Sequence, residues 1–332
     1  MKTNFEFTIN HESEIPKYQQ LVNFVNESVA KNNLSTKKPL PSVNALCAAH
    51  NLSRDTVFKA YSILKNNGVI KSVPNKGYYV ASKTKKVLLV LDTFKAYKEV
   101  LYHSFIDAIN DDVIVDVQFH HYNIDNFKTI INNSLGKYFK YVVMGFDHLA
   151  VPKNLAKIDS KNLLLIDWNI HAKEENNYVF QDFGRSFYHA LISVVDLFKK
   201  YTEIHFVYPG YTAHPIETIH YFEKFCTDLK IKYQIITDEK IFEIKSGVAY
   251  LTVSDRILGT FLEQCKEKNL EPGTDVGFLS YNDTPMKKFI YKGITVVTTD
   301  FEALGAAAAE FINKNSPVQQ YIPTKIIIRE SL

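Results

Sequence analysis

The stretch Asn51–Gly68, NLSRDTVFKAYSILKNNG, decides how the first quarter of this chain folds. Ser53 is a residue type that caps helix N-termini, and the apolar residues after it recur at the spacing of one helical face. Asn67 and Gly68 are residue types that end helices. The stretch therefore predicts a helix with an apolar stripe on one side and a polar first turn, Ser-Arg-Asp-Thr, that faces outward.

Two further helices and a hairpin flank this stretch. Apolar residues at helical spacing predict a helix over residues 15–33, and Ser42 is the expected N-cap of a second helix. After Gly68, the segment VIKSVPNKGYYV predicts two short strands joined by a basic turn at residues 74–77. Three helices followed by such a hairpin predict a winged helix-turn-helix domain, in which the third helix enters the DNA major groove.

Charge is distributed unevenly along the 332 residues. Residues 1–86 contain 13 Lys or Arg against 5 Asp or Glu, whereas the remaining residues contain 26 against 31. A basic module of this kind suits a polyanion, although solvated lysines on any small domain would give the same balance. We therefore expect a head that binds double-stranded DNA, attached to a larger acidic body.

Several classes of protein are disfavoured. The N-terminal residues MKTNFEFTIN lack the apolar segment of a signal peptide, and no apolar run approaches the ~18 residues of a membrane span. Cys47, Cys226 and Cys265 are far apart without C-x-x-C spacing, which favours buried free thiols. His120 and His121 have no carboxylate partner at metal-ligand spacing. We expect a cytoplasmic protein with no membrane partner, metal or cofactor.

The polar first turn of the third helix supplies the first candidates for DNA contact. Arg54 can bind guanine or a phosphate through two hydrogen bonds, or it forms a surface ion pair instead. Ser53 is either a DNA contact or only the helix cap, whereas Lys59 suits a phosphate and Lys76 can approach the minor groove. The predicted DNA contacts are Ser42, Asn44, Ser53, Arg54, Asp55, Thr56, Lys59, Lys76 and Gly77.

These residues resemble the DNA-binding domain of the GntR family of bacterial transcription regulators. The resemblance is carried by Tyr-Gln at 18–19, Leu-Pro-Ser at 40–42, Ser-Arg-x-Thr-Val at 53–57, Ala-Tyr-x-x-Leu at 60–64 and Gly68. Many relatives have arginine at the positions of Asn44 and Phe58, and the family's Gly-x-Gly wing is Asn-Lys-Gly at 75–77 here. The resemblance implies insertion into the groove but leaves the operator sequence open.

From residue 87 onward, apolar strands alternate with amphipathic helices. Residues 87–92, 141–146 and 162–168 are examples of strands that are apolar almost throughout. Residues 98–110 and 125–134 are examples of the helices between them. This alternation predicts an α/β body of parallel sheets covered on both faces, and about 245 residues fit two lobes better than one.

The order of these elements resembles the sugar-binding core of the LacI family, which shares its fold with periplasmic sugar-binding proteins. The likeness is carried by LLLIDW at 163–168, by residues 248–285, and by ITVVTTDFEALGAAAAEFI at 294–312. It implies a two-lobed, type I periplasmic-binding-protein-like body. The expected domains are a winged helix-turn-helix head at 1–82, a linker at 83–86 and this sensing body at 87–332.

Ligands of open α/β sheets bind at the carboxyl ends of strands, where two lobes would enclose a cleft. Carboxylates and amides suit sugar hydroxyls, and an aromatic ring suits the C–H face. By resemblance, four residues fall on ligand-contacting positions: Asp167, Ser254, Asn282 and Thr299. The predicted effector contacts are Asp92, Tyr97, Asp147, Asp167, Trp168, Tyr211, His214, Glu217, Ser254, Asp255, Asn282 and Thr299.

Other interpretations of these residues stay open. Asp167 and Asn282 are also residue types that cap helices, and Trp168 is equally typical of a core. Asp255 matches an aspartate that serves either the cleft or the hinge. Glu217 stands where the LacI family typically has an arginine for ligand hydroxyls or a carboxylate, although His214 or Tyr211 is an alternative match. The loss of that arginine favours a neutral effector.

Together these patterns predict a homodimeric regulator that binds a palindromic operator. The resemblance to these families implies a repressor of a carbohydrate-utilisation operon that its effector releases, and we expect that effector to be a small neutral sugar of the L-arabinose or L-fucose type. The alternative is a GntR-type head fused to an enzymatic body, one that depends on pyridoxal phosphate or another. A body that uses pyridoxal phosphate needs more residues and a Schiff-base lysine beside a phosphate cradle, which the sequence does not display. We therefore expect no enzymatic activity.

Overall fold

The computed structural model describes residues 5–13, 15–30, 33–34, 36, 39–81, 85–169, 175–314 and 316–332. The chain divides into two compact units, Met1–Thr84 and Lys85–Leu332, called the head and the body below. The predicted linker at 83–86 is too long at its C-terminal end, because Lys85 and Lys86 pair with a neighbouring strand of the body. Its first two residues lie outside the described part of the chain.

The head has the predicted three helices and hairpin. Its elements are α1 (Lys17–Ala30), α2 (Val43–His50), α3 (Arg54–Asn66), β1 (Ile70–Val73) and β2 (Gly77–Val80). The serine caps are confirmed: Ser42 Oγ accepts the N–H of Ala45 at 3.1 Å, and Ser53 Oγ accepts that of Thr56 at 3.2 Å. Strands β1 and β2 pair antiparallel around a turn in which Asn75 has a φ of +60°.

The apolar stripe of α3 forms the centre of the head's core. Val57, Tyr61 and Leu64 are at most 1% exposed, and they pack with Leu21 and Val25 of α1. The Tyr61 hydroxyl donates a 2.7 Å hydrogen bond to the carbonyl oxygen of Pro41, so its polar end is also satisfied. Burial of this stripe leaves the opposite face of α3 exposed, as the sequence predicts.

The body alternates strands and helices. Its helices are α4 (Ala96–Ala108), α5 (Ile124–Ser134), α6 (Ala150–Leu155), α7 (Arg185–Ser193), α8 (Val195–Phe198), α9 (Glu217–Asp228), α10 (Asp255–Lys268) and α11 (Phe301–Lys314). Its strands are β3 (Lys85–Leu91), β4 (Val113–Phe119), β5 (Lys140–Met144), β6 (Leu163–Asp167), β7 (Asn177–Gln181), β8 (Glu203–Val207), β9 (Tyr233–Ile236), β10 (Val248–Thr252), β11 (Gly277–Tyr281), β12 (Thr295–Thr299), β13 (Gln319–Ile322) and β14 (Thr324–Ile327).

These strands form two sheets, one in each of two lobes. Lobe 1 has the order β13-β7-β6-β5-β3-β4, and lobe 2 has the order β14-β12-β11-β10-β8-β9. The pairs are parallel except that β14 runs antiparallel to β12. Helices cover both faces of each sheet, since each lobe has two separate hydrophobic clusters. The predicted two-lobed body is thus confirmed, with one antiparallel edge strand added.

The chain passes between the lobes after β7, after β12 and between β13 and β14. Hydrogen bonds tie these crossings together. Asp182 N–H donates to the carbonyl oxygen of Ile322 at 3.2 Å, and Thr324 Oγ1 donates to the carbonyl oxygen of Asp182 at 2.7 Å. Lys325 pairs with Asp300 at 3.3 Å. The crossings therefore form a compact hinge.

Two parts of the body differ from the sequence prediction. Helix α6 contains Pro152, a residue that argues against a helix interior but is tolerated in a first turn. Strands β13 and β14, each only four residues long, lie in a segment for which the sequence analysis predicts no element. Across the described residues, no helix is both long and apolar enough to cross a lipid bilayer.

Candidate functional site

A cavity of about 1000 Å³ lies between the lobes, at the carboxyl ends of their strands. Lobe 1 and the first crossing contribute Asp92, Lys95, Ala96, Tyr97, Tyr122, Gly145, Phe146, Asp147, His148, Asp167, Trp168, Gln181 and Phe183. Lobe 2 contributes Tyr208, Tyr211, Thr212, Ala213, His214, Pro215, Ile216, Val253, Ser254, Asp255, Arg256, Tyr281 and Asn282. We call this cavity the cleft.

The structure brings together ten of the twelve predicted effector residues in the cleft lining. The two exceptions are Glu217 and Thr299. Glu217 opens α9 and places its carboxylate beside Gly184 and Tyr221, so its neighbour Ile216 lines the cleft instead. Thr299 ends β12 in register with Thr324, and its side chain is buried within the sheet. The cleft lining therefore does not include these two predicted residues.

The lobe 1 side of the cleft is built around Asp92. The residue follows β3 directly, and its carboxylate accepts hydrogen bonds from the Lys98 ammonium and the Tyr122 hydroxyl. Burial favours the neutral acid, but the Lys98 charge together with the hydrogen bonds lowers the pKa of Asp92 below its ordinary value. Asp92 is therefore an ionised and fully engaged carboxylate.

Asp167 is the second carboxylate of this side. It ends β6 with a φ of +79°, a left-handed conformation that is uncommon for residues other than glycine. Its Oδ1 accepts a hydrogen bond from the Gln181 amide. Burial raises the pKa of Asp167, and the nearby Asp92 charge adds to the rise while Lys98 opposes it. Asp167 thus offers the cleft a carboxyl group with only one side-chain donor among the described residues.

The lobe 2 side combines aromatic and charged groups. Tyr211 and Ser254 share a 2.8 Å hydrogen bond between their hydroxyls, and the Arg256 guanidinium lies 4.8 Å from the centre of the Tyr211 ring. Asp255 pairs with the buried Lys287 at 2.8 Å. Asp255 lines the cleft, and Lys287 compensates its charge within the protein.

His214 forms an aromatic cluster at the base of the cleft. Its ring lies 4.4 Å from the Tyr281 ring and 5.2 Å from the Phe183 ring, both in edge-on arrangements. Burial, with a contribution from the Lys95 charge, lowers the pKa of His214 to about 3. The ring is therefore neutral, and its Nε2 lies 2.9 Å from Thr218 Oγ1. Trp168 lines the cleft and also packs against the lobe 2 core.

Sequence reasoning missed eight polar residues of the cleft lining: Lys95, Tyr122, His148, Gln181, Tyr208, Thr212, Arg256 and Tyr281. Gln181 is the last residue of β7, so the strand-end argument that identified Asp167 would also have found it. Tyr122 follows β4 by three residues, and it reaches Asp92 from a turn in which its backbone φ is +57°. A left-handed tyrosine gives no signal in the sequence. Among the described residues, no cluster of His, Cys, Asp or Glu could hold a metal ion.

On the head, the exposed side of α3 carries the predicted DNA contacts. Arg54 and Asp55 are exposed, and Arg54 makes no ion pair within the described residues. The Ser53 hydroxyl is engaged by the backbone and the hydroxyl of Thr56, so its capping role is real. Lys59 lies over the Tyr18 ring at 3.9 Å. The other members, Ser42, Asn44, Lys76 and Gly77, are also exposed.

Comparison with known sequences concerns the head. The family model for bacterial regulatory proteins of the gntR family matches residues 17–80. The HTH-type transcriptional repressor YtrA of Bacillus subtilis is 32% identical over 100 residues, which are 30% of this chain and 76% of that protein. The uncharacterized HTH-type transcriptional regulator YurK of Bacillus subtilis is 33% identical over 92 residues, 27% of this chain and 38% of that protein.

Comparison with solved structures concerns the body. The trehalose repressor from Escherichia coli superposes with a TM-score of 0.62 at 14% identity, over 74% of this chain and 100% of that chain. A LacI family transcriptional regulator from Enterococcus faecium with bound ribose gives a TM-score of 0.59 at 14% identity, over 74% and 98%. At this identity the likeness shows the fold alone. The chain therefore belongs to the gntR family of bacterial regulatory proteins, and its body has the fold of LacI-family regulators.

Proposed function

We propose that this protein is a homodimeric repressor that binds a palindromic operator through α3 and leaves it when a small neutral sugar fills the cleft. The observation that carries the proposal is the combination, in one chain, of a gntR-family head and a 1000 Å³ cleft lined by carboxyl, amide and aromatic groups. Two-fold symmetric operators suit dimeric helix-turn-helix proteins, since each head meets one half-site.

Unsatisfied polar atoms support a ligand rich in hydroxyl groups. Gln181 Oε1 and Asn282 Oδ1 are buried and have no hydrogen-bond partner among the described residues. Both residues line the cleft, and buried polar atoms nearly always have partners. Sugar hydroxyls donate and accept hydrogen bonds, so they can satisfy these acceptors and Asp167 together.

The charges of the cleft favour a neutral ligand. Asp92 is neutralised by Lys98 and Asp255 by Lys287. On the lobe 2 side, the guanidinium of Arg256 lies against the Tyr211 ring in a cation–π contact. The other charged residues of the lining are Lys95, Asp147 and Asp167, so the cleft has no excess of positive charge. A phosphate would need several converging donors with positive charge. Our preference within neutral sugars is a pentose or a 6-deoxyhexose such as L-arabinose or L-fucose.

The proposed effector site consists of the ten predicted contacts that line the cleft, together with Gln181 and Tyr122. Glu217 and Thr299 are left out of it. The nine predicted residues of the head are the proposed DNA site. We propose that ligand binding closes the lobes about the hinge at Asp182 and Thr324. Because a ligand shifts a conformational equilibrium by its differential affinity for the two states, the closed body must hold the heads in a geometry that fits the operator less well.

A thermal-shift screen tests the effector class. The full chain is heated with L-arabinose, L-fucose, other neutral sugars, sugar phosphates and amino acids, and the melting of the body is followed by fluorescence of Trp168, the single tryptophan. A ligand that binds only the folded state raises Tm with concentration. The proposal expects a neutral sugar to do so, and expects Gln181→Leu to weaken the shift while the exposed control Gln234→Leu retains it. Stabilisation by phosphates or amino acids alone would overturn the neutral-sugar proposal.

A further inference from the structure

Phe58 is a large apolar side chain on the polar side of α3. It is 42% exposed, whereas the core-facing residues Val57 and Tyr61 of the same helix are at most 1% exposed. Phe58 does not belong to the hydrophobic cluster of the head, and within the described residues its ring packs against no other aromatic ring. The folded head therefore leaves this ring available for an external contact.

The position of Phe58 on the helix aligns it with Arg54. The two residues are four apart, so their side chains are neighbours along one face of the helix. Arg54 occupies the first turn, and Phe58 follows one turn later on the same exposed side. A surface that carries Arg54 to base edges in the major groove therefore carries Phe58 into the groove as well.

The surroundings of Phe58 decide which partner suits it. Single exposed apolar residues are common on protein surfaces and need no partner by themselves. Here, however, α3 also carries the exposed cations Arg54, Lys59 and Lys65, on a head with 13 Lys or Arg against 5 Asp or Glu in residues 1–86. A face with this charge complements a polyanion. The apolar group that B-DNA presents in its major groove is the 5-methyl group of thymine.

We propose that Phe58 contacts the 5-methyl group of a thymine in each operator half-site and so determines specificity at that base pair. The inference rests on the proposed function, in which α3 enters the major groove. It assigns Phe58 a role different from that of Arg54. Arg54 reads hydrogen-bonding groups or a phosphate, whereas Phe58 reads a methyl group through van der Waals contact and exclusion of water.

Removal of single methyl groups from DNA tests this inference. Duplexes bound by the full chain are first selected from random sequence, and each thymine of the selected half-site is then replaced in turn by deoxyuridine. This change deletes only the methyl group and keeps base pairing. Burial of one methyl group corresponds to about a fourfold change in affinity, so symmetric replacement in both half-sites should weaken binding by about fifteenfold.

The variant Phe58→Ala separates the methyl contact from other effects. Wild-type protein should lose affinity at one thymine position per half-site, and Phe58→Ala should bind thymine and deoxyuridine duplexes equally at that position. The control Arg54→Ala should bind more weakly but keep the preference for thymine. Because Phe58 is exposed, its variants should fold, and circular dichroism melting of the full chain checks this.

Three results would overturn the inference. A thymine preference that persists in Phe58→Ala would show that another group reads the methyl. Equal wild-type affinity for every thymine and deoxyuridine duplex would show that no methyl is read. Failure of the full chain to select any duplex would overturn the proposed function as well, so the two failures are distinguishable.

Discussion

Lys98 and Asp92 form an ion pair beside the cleft, and their side chains are only 0% and 4% exposed. Asp92 follows β3 and Lys98 lies in the first turn of α4, so the pair joins the end of a central strand to the helix that covers it. The Tyr122 hydroxyl completes the arrangement by donating to the second carboxylate oxygen of Asp92. A buried ion pair and a hydrogen bond thus stabilise the side of the cleft that lobe 1 forms.

Removal of the Lys98 charge should destabilise the body strongly. Lys98→Met leaves Asp92 buried without its cation, and breaking a buried pair in this way typically costs about 3–5 kcal/mol. Urea denaturation followed by Trp168 fluorescence measures the free energy of unfolding. The control Lys128→Met removes an exposed 3.1 Å pair with Asp125 and should change stability by less than about 1 kcal/mol. Equal effects of the two variants would contradict the buried network.

Two helical glycines should respond in opposite directions to alanine. A Cβ on Gly305 of α11 would lie 2.4 Å from the carbonyl oxygen of Leu101 in α4, whereas a Cβ on Gly259 of α10 would meet nothing within 4 Å. We expect Gly305→Ala to destabilise the body by about 1–3 kcal/mol through overpacking. Gly259→Ala should stabilise it by about 0.5–1 kcal/mol through its higher helix propensity. Denaturant titration of both variants gives the signs, and a stabilising Gly305→Ala would refute the close helix contact.

The body should lose stability as the pH falls below about 6.5, partly because of His120. Burial lowers the pKa of His120 to about 4 despite the nearby Asp92 charge, and its two ring nitrogens contact the carbonyl of Met144 and the N–H of Tyr122, each at 3.1 Å. The unfolded chain, with a histidine pKa near its ordinary ~6.5, then binds more protons than the folded chain.

The stabilisation from neutral His120 is therefore complete above about pH 6.5 and is lost as the pH falls towards about 4, at a slope of about 1.4 kcal/mol per pH unit. Unfolding free energies at pH 7 and pH 5 measure this slope. His120→Gln should reduce the measured slope and leave the part that comes from other buried histidines such as His214, whereas the same change at the exposed His189 should leave it unaltered. An unchanged slope in His120→Gln would show that His120 is not the responsible group.

Arg54 should contribute directly to recognition of the operator. Its exposed guanidinium makes no ion pair within the described residues, so its N–H groups can donate hydrogen bonds to a base or a phosphate. Arg54→Ala should weaken specific binding by about 1–3 kcal/mol. Fluorescence anisotropy with a labelled operator measures this, and Arg185→Ala, an exposed arginine of the body, is the matched control. If both variants bind like the wild type, Arg54 is not a DNA contact.

The head could be predicted from the sequence almost element by element. Its helices are delimited by local signals such as the caps at Ser42 and Ser53 and the turn at Asn75, and local signals are visible in a single chain. In the body, continuous apolar strands fixed the layered architecture. Strands β13 and β14 were not identified from the sequence, because each has only four residues. They are also separated only by Pro323, although they belong to two different lobes.

The cleft could be predicted where a residue ends a strand, as Asp167 does, because topology then determines its position. Thr299 shows the limit of this rule: it also ends a strand, but its side chain is buried and is absent from the cleft lining. Successive side chains of a strand point to opposite faces of the sheet. A shift of one residue in where the strand ends therefore decides whether its last side chain faces the cleft. Glu217 was misplaced for a related reason, since Ile216 is the neighbour that lines the cleft.

The central claim is that occupation of the cleft changes the affinity of the head for DNA. The most direct measurement is the anisotropy of a labelled operator bound to the full chain, titrated with the neutral sugar that raises Tm, for the wild type and for Gln181→Leu. The account predicts that the sugar releases the operator from the wild type and that Gln181→Leu needs a higher sugar concentration. Operator binding that stays constant while the sugar saturates the body would contradict it.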